Sequence, residues 1–447
     1  MTLIFQVSTP RVSLTGGAGW RSGGWVIKFG MQKSSLSIPV APARRPLPYL
    51  AAAYALGVFN DNFFKQSLLL LAVASGNTAF QGYALAAFTA PFLLLAAPAG
   101  WLADRLPKHR VAVAAKTLEV LAMLCGAAGL LRGSLPLMLV MLAIMGIQAT
   151  FFSPALNGAI PELYPTDLVP RVNGVLRLLV TAAIMAGVAT SGLVLDLSGP
   201  AWSGQPFGHV VAGCVVIAVA VLGWLAAWRI PALHAASPTA PFPWRGPWNT
   251  ILDLLDAARD RALLLAIAAD VFIWFVGSLE LLLINPLGLR QFGLSNQATS
   301  GLLATQMCGV AAGGLLAGRL TPRLGWRRLA GWSGVALAIG LMLMAAVPLL
   351  PGGARVPAVC LLLAWVGIAG GLFLVPVESE VQILPSEERK GRVWAAGNFA
   401  VFAGILLSGF TANGLVAWLS PTTGFGVVGL LAVPLLLAGR TLMKRTT

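Results

Sequence analysis

The chain has 447 residues, 57% of them hydrophobic and 10% charged, with a mean hydropathy of +0.83. A soluble chain of that length cannot hide so much apolar surface in one or two cores, so lipid must be its main solvent. Thirty Lys and Arg against fifteen Asp and Glu give a net charge of +15; with no groove-reading motif beside it, that excess points away from nucleic acid and towards membrane topology and anionic headgroups.

Residues 1–47 are rich in Gly and Ser and carry Arg11, Arg21, Lys28, Lys33, Arg44 and Arg45. They lack the apolar core and small-residue cleavage site of a signal peptide. The expectation is a basic, disordered cytoplasmic extension, with Met31 a candidate alternative start.

A spanning helix needs ~20 apolar residues. Apolar runs of that kind recur at about 49–75, 80–103, 111–131, 135–157, 168–196, 207–229, 262–286, 297–319, 329–350, 356–377, 392–415 and 422–440. These predict twelve transmembrane helices. The only long break, 231–260, holds Pro231, Pro238, Pro241, Pro243 and Pro247, and reads as a cytoplasmic linker. It divides a six-helix bundle over 48–230 from a second over 261–440, with a short tail at 441–447. Placing both termini in the cytoplasm puts 24 of the 30 basic residues inside and only Arg132, Arg290 and Arg355 outside, as the positive-inside rule requires. Cys125, Cys214, Cys308 and Cys360 all lie in apolar runs without paired spacing and are expected to be buried packing residues.

The two halves echo one another. Residues 99–112 align with 317–330, matching Gly100 with Gly318, Arg105 with Arg323, Leu106 with Leu324 and Arg110 with Arg328. Leu142-Ala-x-x-Gly146-Ile pairs with Leu363-Ala-x-x-Gly367-Ile, and Pro165-Thr-Asp followed by Arg171-Val pairs with Pro385-Ser-Glu followed by Arg392-Val. Parallel halves of this kind fit two pseudo-symmetric bundles with a midplane site between them.

The stretch Gly100, Asp104, Arg105, Lys108 and Arg110 resembles the signature loop of the major facilitator superfamily, which implies that superfamily's all-α polytopic fold. Gly100 is expected to let two helices approach closely. Asp104 is expected to cap or pair across a helix end, and the basic residues to hold inner-leaflet phosphates or helix ends. In the second copy Pro322 replaces Asp104, so that copy should latch more weakly.

Ionisable groups inside spans are costly and tend to face a cavity or a partner. The first span carries Asn60, Asp61, Asn62 and Lys65, with Asp61 and Lys65 four apart on one face and so able to pair. This cluster is the leading candidate for substrate binding or gating. Further candidates are Glu119, which Lys116 three residues earlier could neutralise; Arg177, which could instead snorkel; Asp270 in span seven; and Glu378 beside Glu380 in span ten. Glu280 is expected near the outer end, where solvent lowers its cost. The site is expected between spans one, four, five, seven, ten and eleven.

Two stretches, Phe59-Asn60-Asp61-Asn62-Phe63-Phe64-Lys65-Gln66 and Phe151-Phe152-Ser153-Pro154-Ala155 continuing to Ile160-Pro161-Glu162-Leu163, resemble the lysophospholipid transporter family, including the transporter domain fused to some bacterial acyltransferases. Gly391-Arg392-Val393 and Gly397-Asn398 are similar to its matching later segment. The resemblance implies a bacterial inner-membrane protein that moves lysophospholipid, such as lysophosphatidylethanolamine, between leaflets for a cytoplasmic acyltransferase. Where the family usually has Lys-Tyr after Ser-Pro-Ala, this chain has Leu156-Asn157; Arg177 or Lys116 would have to replace that lysine. A proton-coupled exporter of drugs or other amphipathic small molecules is the alternative, using Asp61, Glu119 or Asp270 as proton carrier. An enzyme is disfavoured: His109, His209 and His234 stand in no catalytic spacing, and no nucleophile elbow or metal-ligand cluster appears. No cofactor or metal is expected, and a monomer is the expected state.

Overall fold

The computed structural model describes residues 46–444 except 166–167, 203, 236, 240 and 387–388. The basic extension up to residue 45, the last three residues of the tail, and Thr166, Asp167 and Glu387 of the third sequence echo lie outside the described residues.

The described residues form twelve long α-helices and one short one. They are α1 (Leu47–Ala74), α2 (Phe80–Arg105), α3 (Lys108–Arg132), α4 (Leu135–Leu163), α5 (Val169–Leu195), α6 (Phe207–Trp228), the short α7 (Gly246–Ala257), α8 (Arg261–Pro286), α9 (Asn296–Leu324), α10 (Trp326–Met344), α11 (Gly352–Ile383), α12 (Lys390–Trp418) and α13 (Pro421–Lys444). Helix is the expected answer where lipid offers no hydrogen bonds: every backbone group must be satisfied within its own segment. Nine described helices are long and apolar enough to span on composition alone. Polar residues in α1 and two arginines in the short α10 set those two apart, while α13 is apolar over Pro421–Pro434. No span has more than half of its apolar window buried inside the protein; the remainder faces outward, as lipid-solvated helices do.

Local chemistry sets the helix ends. The Ser134 and Ser295 side chains accept from the backbone N–H groups of Leu137 and Ala298, and Asp260 accepts from Ala262 and Leu263. The ninth span is shorter than the sequence suggested: α10 stops at Met344, and Pro348 and Pro351 confine the rest to a single 3₁₀ turn, Val347–Leu349. Helix α7 lies within what the sequence presented only as a linker. Two cysteines also depart from expectation, since Cys214 and Cys308 are exposed on their helices.

The same packing pattern is used twice. In the first half α1 packs on α5 and α6, α4 on α2 and α3, and α3 on α6; in the second, α8 packs on α12 and α13, α11 on α9 and α10, and α10 on α13. The two bundles meet along two seams, α2 with α12 and α5 with α9, which are equivalents of one another under the repeat. The face carrying the α2–α3 loop and the linker is called here the linker face, and the opposite one the far face.

Apolar contacts are not spread evenly through the depth of the molecule. One continuous cluster joins both bundles through the far half, including Phe64, Met141, Leu283, Leu303 and Phe402. Towards the linker face it gives way to separate clusters, one around Leu50, Phe152 and Leu176 in the first bundle and one around Leu263, Val381 and Val393 in the second. The core therefore forks, and the bundles part towards the linker face.

On the far side of the α2–α12 seam the backbones nearly touch: a Cβ built on Gly82 would lie 2.6 Å from the Gly409 carbonyl oxygen. Gly82→Val is expected to wedge this seam open. Overpacking of this kind costs about 1–3 kcal/mol, so the thermal unfolding midpoint of the purified protein should fall and a Gln81→Cys reporter should become reactive. An unchanged midpoint with a protected cysteine would refute the close contact.

Candidate functional site

Where the core forks there is a cavity of about 410 Å³. It is lined by α1 (Tyr54, Gly57, Asp61, Asn62), α2 (Phe88, Phe92, Gly100), α3 (Lys116), α4 (Gln148, Thr150, Phe152, Ser153, Asn157), α7 (Pro247, Thr250) and α12 (Trp394, Asn398, Phe399, Phe402). The site expected between spans one, four, five, seven, ten and eleven is thus built from spans one to four and eleven plus the linker helix. Among the described residues, spans five, seven and ten contribute no lining residue to this cavity.

The four polar residues of the first span do not act together. Asn60 is fully buried and donates to the Val216 carbonyl of α6 at 2.9 Å, so it belongs to the bundle interior. Asp61 and Asn62 face the cavity. The expected direct Asp61–Lys65 pair is not made. Lys65 donates to the Asn62 side-chain oxygen at 3.2 Å and stands 4.9 Å from the centre of the Phe88 ring. Asn62, one turn below Lys65, intercepts the ammonium. This leaves Asp61 Oδ1 buried with no hydrogen-bond partner among the described residues.

Two turns into α3 lies a strong ion pair. Lys116 Nζ and Glu119 Oε2 are 2.6 Å apart, and neither side chain is exposed at all. Gln148 of α4 donates to the same carboxylate oxygen at 3.2 Å, and the Phe152 ring lies 4.8 Å from the Lys116 nitrogen. The opposite helix makes room, since a Cβ at Gly57 of α1 would collide with that nitrogen. Lys116 reaches the cavity wall and Glu119 stands behind it. The sequence marked the pair, offering Lys116 both as a neutraliser of Glu119 and as a substitute for the family's usual lysine. Gln148, a lone polar residue in an apolar run, was the signal that α4 faced something charged.

The remaining ionisable candidates are elsewhere. Arg177 of α5 reaches across to Glu378 of α11, with Nη2 and Oε2 3.8 Å apart and the arginine largely exposed. Asp270 of α8 is buried close to Glu378, making a separate inter-bundle cluster outside the cavity. Glu280 is not near solvent as expected: it is 3% exposed and hydrogen-bonded to Gln306 of α9, which takes over the role assigned to water.

The signature loop also differs from its expected use. Gly100 is not a close-approach point, because a Cβ there would meet nothing within 4 Å; it borders the open cavity instead. The Asp104 carboxylate is exposed and caps no helix end among the described residues, whereas its backbone carbonyl accepts from Ser237 N–H of the linker at 2.8 Å. Arg105 lies over the Trp101 ring at 5.0 Å, Lys108 is buried in an ion pair with Glu162 of α4, and Arg110 is exposed. Lys108 is therefore the residue that ties this loop to the bundle. Leu156, at the position where the lysophospholipid family usually has lysine, turns away from the cavity into the first bundle's apolar cluster. Among the described residues no group of three or more His, Cys, Asp or Glu is placed to hold a metal ion.

On the far face the bundles are held by neutral and singly charged hydrogen bonds. Gln66 donates to Asn285 at 2.9 Å, Asn285 donates to Gln81 at 3.2 Å, and Gln81 donates to the Leu282 carbonyl at 3.2 Å. Asp196 accepts from the Asn296 side chain and the Gln297 N–H, both at 2.7 Å. The cavity is closed on that side and approached from the linker side.

Removing one partner of a buried ion pair leaves an uncompensated charge, at a cost of about 3–5 kcal/mol. Lys116→Met should therefore lower the yield of folded protein and its thermal midpoint, and adding Glu119→Gln should restore much of both. A double variant as unstable as Lys116→Met would show that the pair does not set the stability of this region.

The sequence model of the Major Facilitator Superfamily matches residues 49–409. Over 391 residues the chain is 27% identical to the lysophospholipid transporter LplT of Enterobacter sp. (strain 638), covering 85% of this chain and 90% of that one. Over 323 residues it is 28% identical to the protein of the same name from Yersinia pestis (strain Pestoides F), covering 70% and 71%. In fold it is similar to a bacterial homologue of the iron transporter ferroportin in an inward-facing state, with a TM-score of 0.66, 16% identity and coverage of 90% of this chain and 98% of that one. It is likewise similar to the nucleoside transporter NupG, with a TM-score of 0.63, 15% identity and coverage of 89% and 99%. Twelve long helices in two equivalent bundles, a cavity between them and a match across most of its length make this multi-pass membrane chain a member of the Major Facilitator Superfamily.

Proposed function

We propose that this transporter moves a lysophospholipid of the lysophosphatidylethanolamine type across a bacterial inner membrane by alternating access. The observation that carries the reading is the composition of the cavity wall. Asp61 and Lys116 are both among its lining residues, the lysine side chain without exposed surface, and Phe88, Phe92, Trp394, Phe399 and Phe402 are its aromatic lining from α2 and α12. A zwitterionic headgroup needs one group of each sign, and an acyl chain needs an apolar wall leading to lipid. The phosphate would compete with Glu119 for Lys116, while the ethanolamine ammonium would take the Asp61 oxygen that has no donor. The names of the Enterobacter and Yersinia relatives support the same substrate class.

In this reading the linker face is cytoplasmic, as the excess of Lys and Arg on that side supports, and both termini lie there. The units 48–230 and 261–440 rock as bodies about the cavity, with 231–260 as the strap between them. The protein acts as a monomer and changes no covalent bond; a cytoplasmic acyltransferase takes the delivered lipid. One observation favours a second reading, proton-coupled export of amphipathic small molecules: Asp61, Glu119 and Asp270 are acids held within the spans, each with one buried oxygen that has no hydrogen-bond partner among the described residues.

Uptake of labelled lysophosphatidylethanolamine should exceed that of an empty control in cells making the protein. Asp61→Ala should return it to the control level with the protein still inserted. Near-normal uptake by that variant removes Asp61 from the mechanism. No uptake by well-inserted wild type, together with pH-gradient-driven efflux of an amphipathic dye, favours the exporter.

A further inference from the structure

Helix α7 has two unlike faces. Trp244, just before it, and Trp248, Leu252 and Leu255 follow one another at steps of four, four and three, which places them on one side of a helix. All four are open, from 46% exposed at Leu252 to 86% at Trp244. The other side is engaged. Pro247 and Thr250 line the cavity, Gly246 is buried against Ala97 of α2, and Leu254 and Ala257 join the apolar cluster of the second bundle. Along its flank Asp256 pairs with Arg389 at 2.6 Å and Asp253 with Arg392 at 3.4 Å, both at the start of α12.

The place of α7 in the fold decides what covers the open side. It connects α6, ending at Trp228, to α8, beginning at Arg261, so it lies at the level where two spans leave the bilayer. An amphipathic helix at that level settles in the boundary between headgroups and acyl chains, with Trp and Leu inward and cations towards phosphate. Arg229, Arg245, Arg259 and Arg261 are all exposed on this segment and match an anionic headgroup layer.

The helix also sits over a gap. The α2–α12 seam is tight at Gly82 and Gly409 and closed at mid-depth by the stacked Phe92 and Phe402 rings, 4.6 Å apart. Nearer the linker face a Cβ on Gly100 would meet nothing within 4 Å, and α7 touches both α2 and α12. Its charged attachments are unequal: two ion pairs and an apolar cluster join α7 to the second bundle, whereas the first holds the segment by the Gly246–Ala97 and Phe242–Trp101 contacts and, upstream, by the Ser237 and Leu233 N–H groups donating to Asp104 and His109.

We propose that α7 is a lid seated in the lipid interface, carried by the second bundle, which covers a lipid-facing portal between α2 and α12 and opens at its α2 edge. The identity of what passes the portal rests on the lipid substrate proposed above; the seating of the lid does not.

Two measurements test this in a background with the four native cysteines replaced, reconstituted in vesicles of phosphatidylethanolamine and phosphatidylglycerol. Nitroxide labels on Trp248→Cys, Leu252→Cys and Leu255→Cys should collide more with oxygen than with a water-soluble nickel complex, and a label on Asn249→Cys should show the reverse. Nickel accessibility at all four positions would overturn the seating and leave the stripe to a soluble partner. Joining α2 to the lid by a disulfide in Ala97→Cys/Gly246→Cys should then abolish uptake of lysophosphatidylethanolamine, with recovery on reduction. Full uptake by the cross-linked protein would overturn the lid. If the reduced protein takes up none of this lipid, the substrate reading fails, and the nitroxide pattern alone decides whether α7 is seated in lipid.

Discussion

The Lys116–Glu119 pair sits where neither water nor lipid reaches it, and much of the first bundle is arranged around it. A buried ion pair depends on fixed geometry and on further hydrogen bonds to its charges. Here α4 provides the Gln148 donor to Oε2 and the Phe152 ring, while Oε1 has no hydrogen-bond partner among the described residues. Gly57 on α1 leaves the volume that the ammonium occupies, and a Cβ on Gly223 of α6 would lie 3.5 Å from the same nitrogen, in ordinary contact. Four helices are thereby keyed to one another by a single pair of charges. Because the pair also forms the back of the cavity, its fixed position is what gives Asp61 a neighbour of opposite charge without a direct contact.

The two bundles share a packing pattern but not a charge pattern. The first holds acids and bases together, whereas the second buries Asp270 and Glu280, half-buries Glu378 and borrows Arg177 from the first to answer the last of these. Within the second bundle α9 and α11 approach at backbone level, with Gly309 and Gly313 facing the Ala364 and Ile368 carbonyls and Gly371 facing that of Val310. Such contacts leave little room to slide and make a stiff unit. Between the bundles the far-face links are mostly neutral hydrogen bonds, each with a net value of about 0.5–1.5 kcal/mol. The partly exposed Arg177–Glu378 pair belongs to a class worth about 0–1 kcal/mol. Stiff units joined by weak links are what the proposed rocking motion requires.

What the sequence made legible follows from what hydrocarbon forbids. Twelve spans and the repeated halves could be read because an unpaired backbone or an unplaced cation in lipid is too costly to occur by chance. Lys116–Glu119 was readable because three-residue spacing and complete burial leave the pair no other partner. Asp61 and Lys65 were different: their spacing permits a pair but does not compel one, and Asn62 competes for the same ammonium. Gly100 misled for a similar reason, since a glycine in a signature loop marks freedom of approach and not the state in which the approach is made. Helix α7 was hidden by its prolines, which read as a broken linker until the Trp and Leu spacing is set against a surface. Which helices wall the cavity depends on where the core forks, and no one-dimensional pattern carries that.

The replacement of the family's usual lysine by Leu156 has a narrower meaning in three dimensions than in one. Leu156 packs among apolar side chains of the first bundle, so the change does not strip a charge from the cavity surface as it now stands. Of the two substitutes, Arg177 is spent on Glu378 outside the cavity, while Lys116 lies on its wall. Any anion held there must be shared with Glu119, which makes Gln148 the group that decides how readily the carboxylate gives way. If the cargo is the proposed lysophospholipid, its headgroup preference should then depend on the α3–α4 contact behind the wall, and not on the residues that line it most visibly.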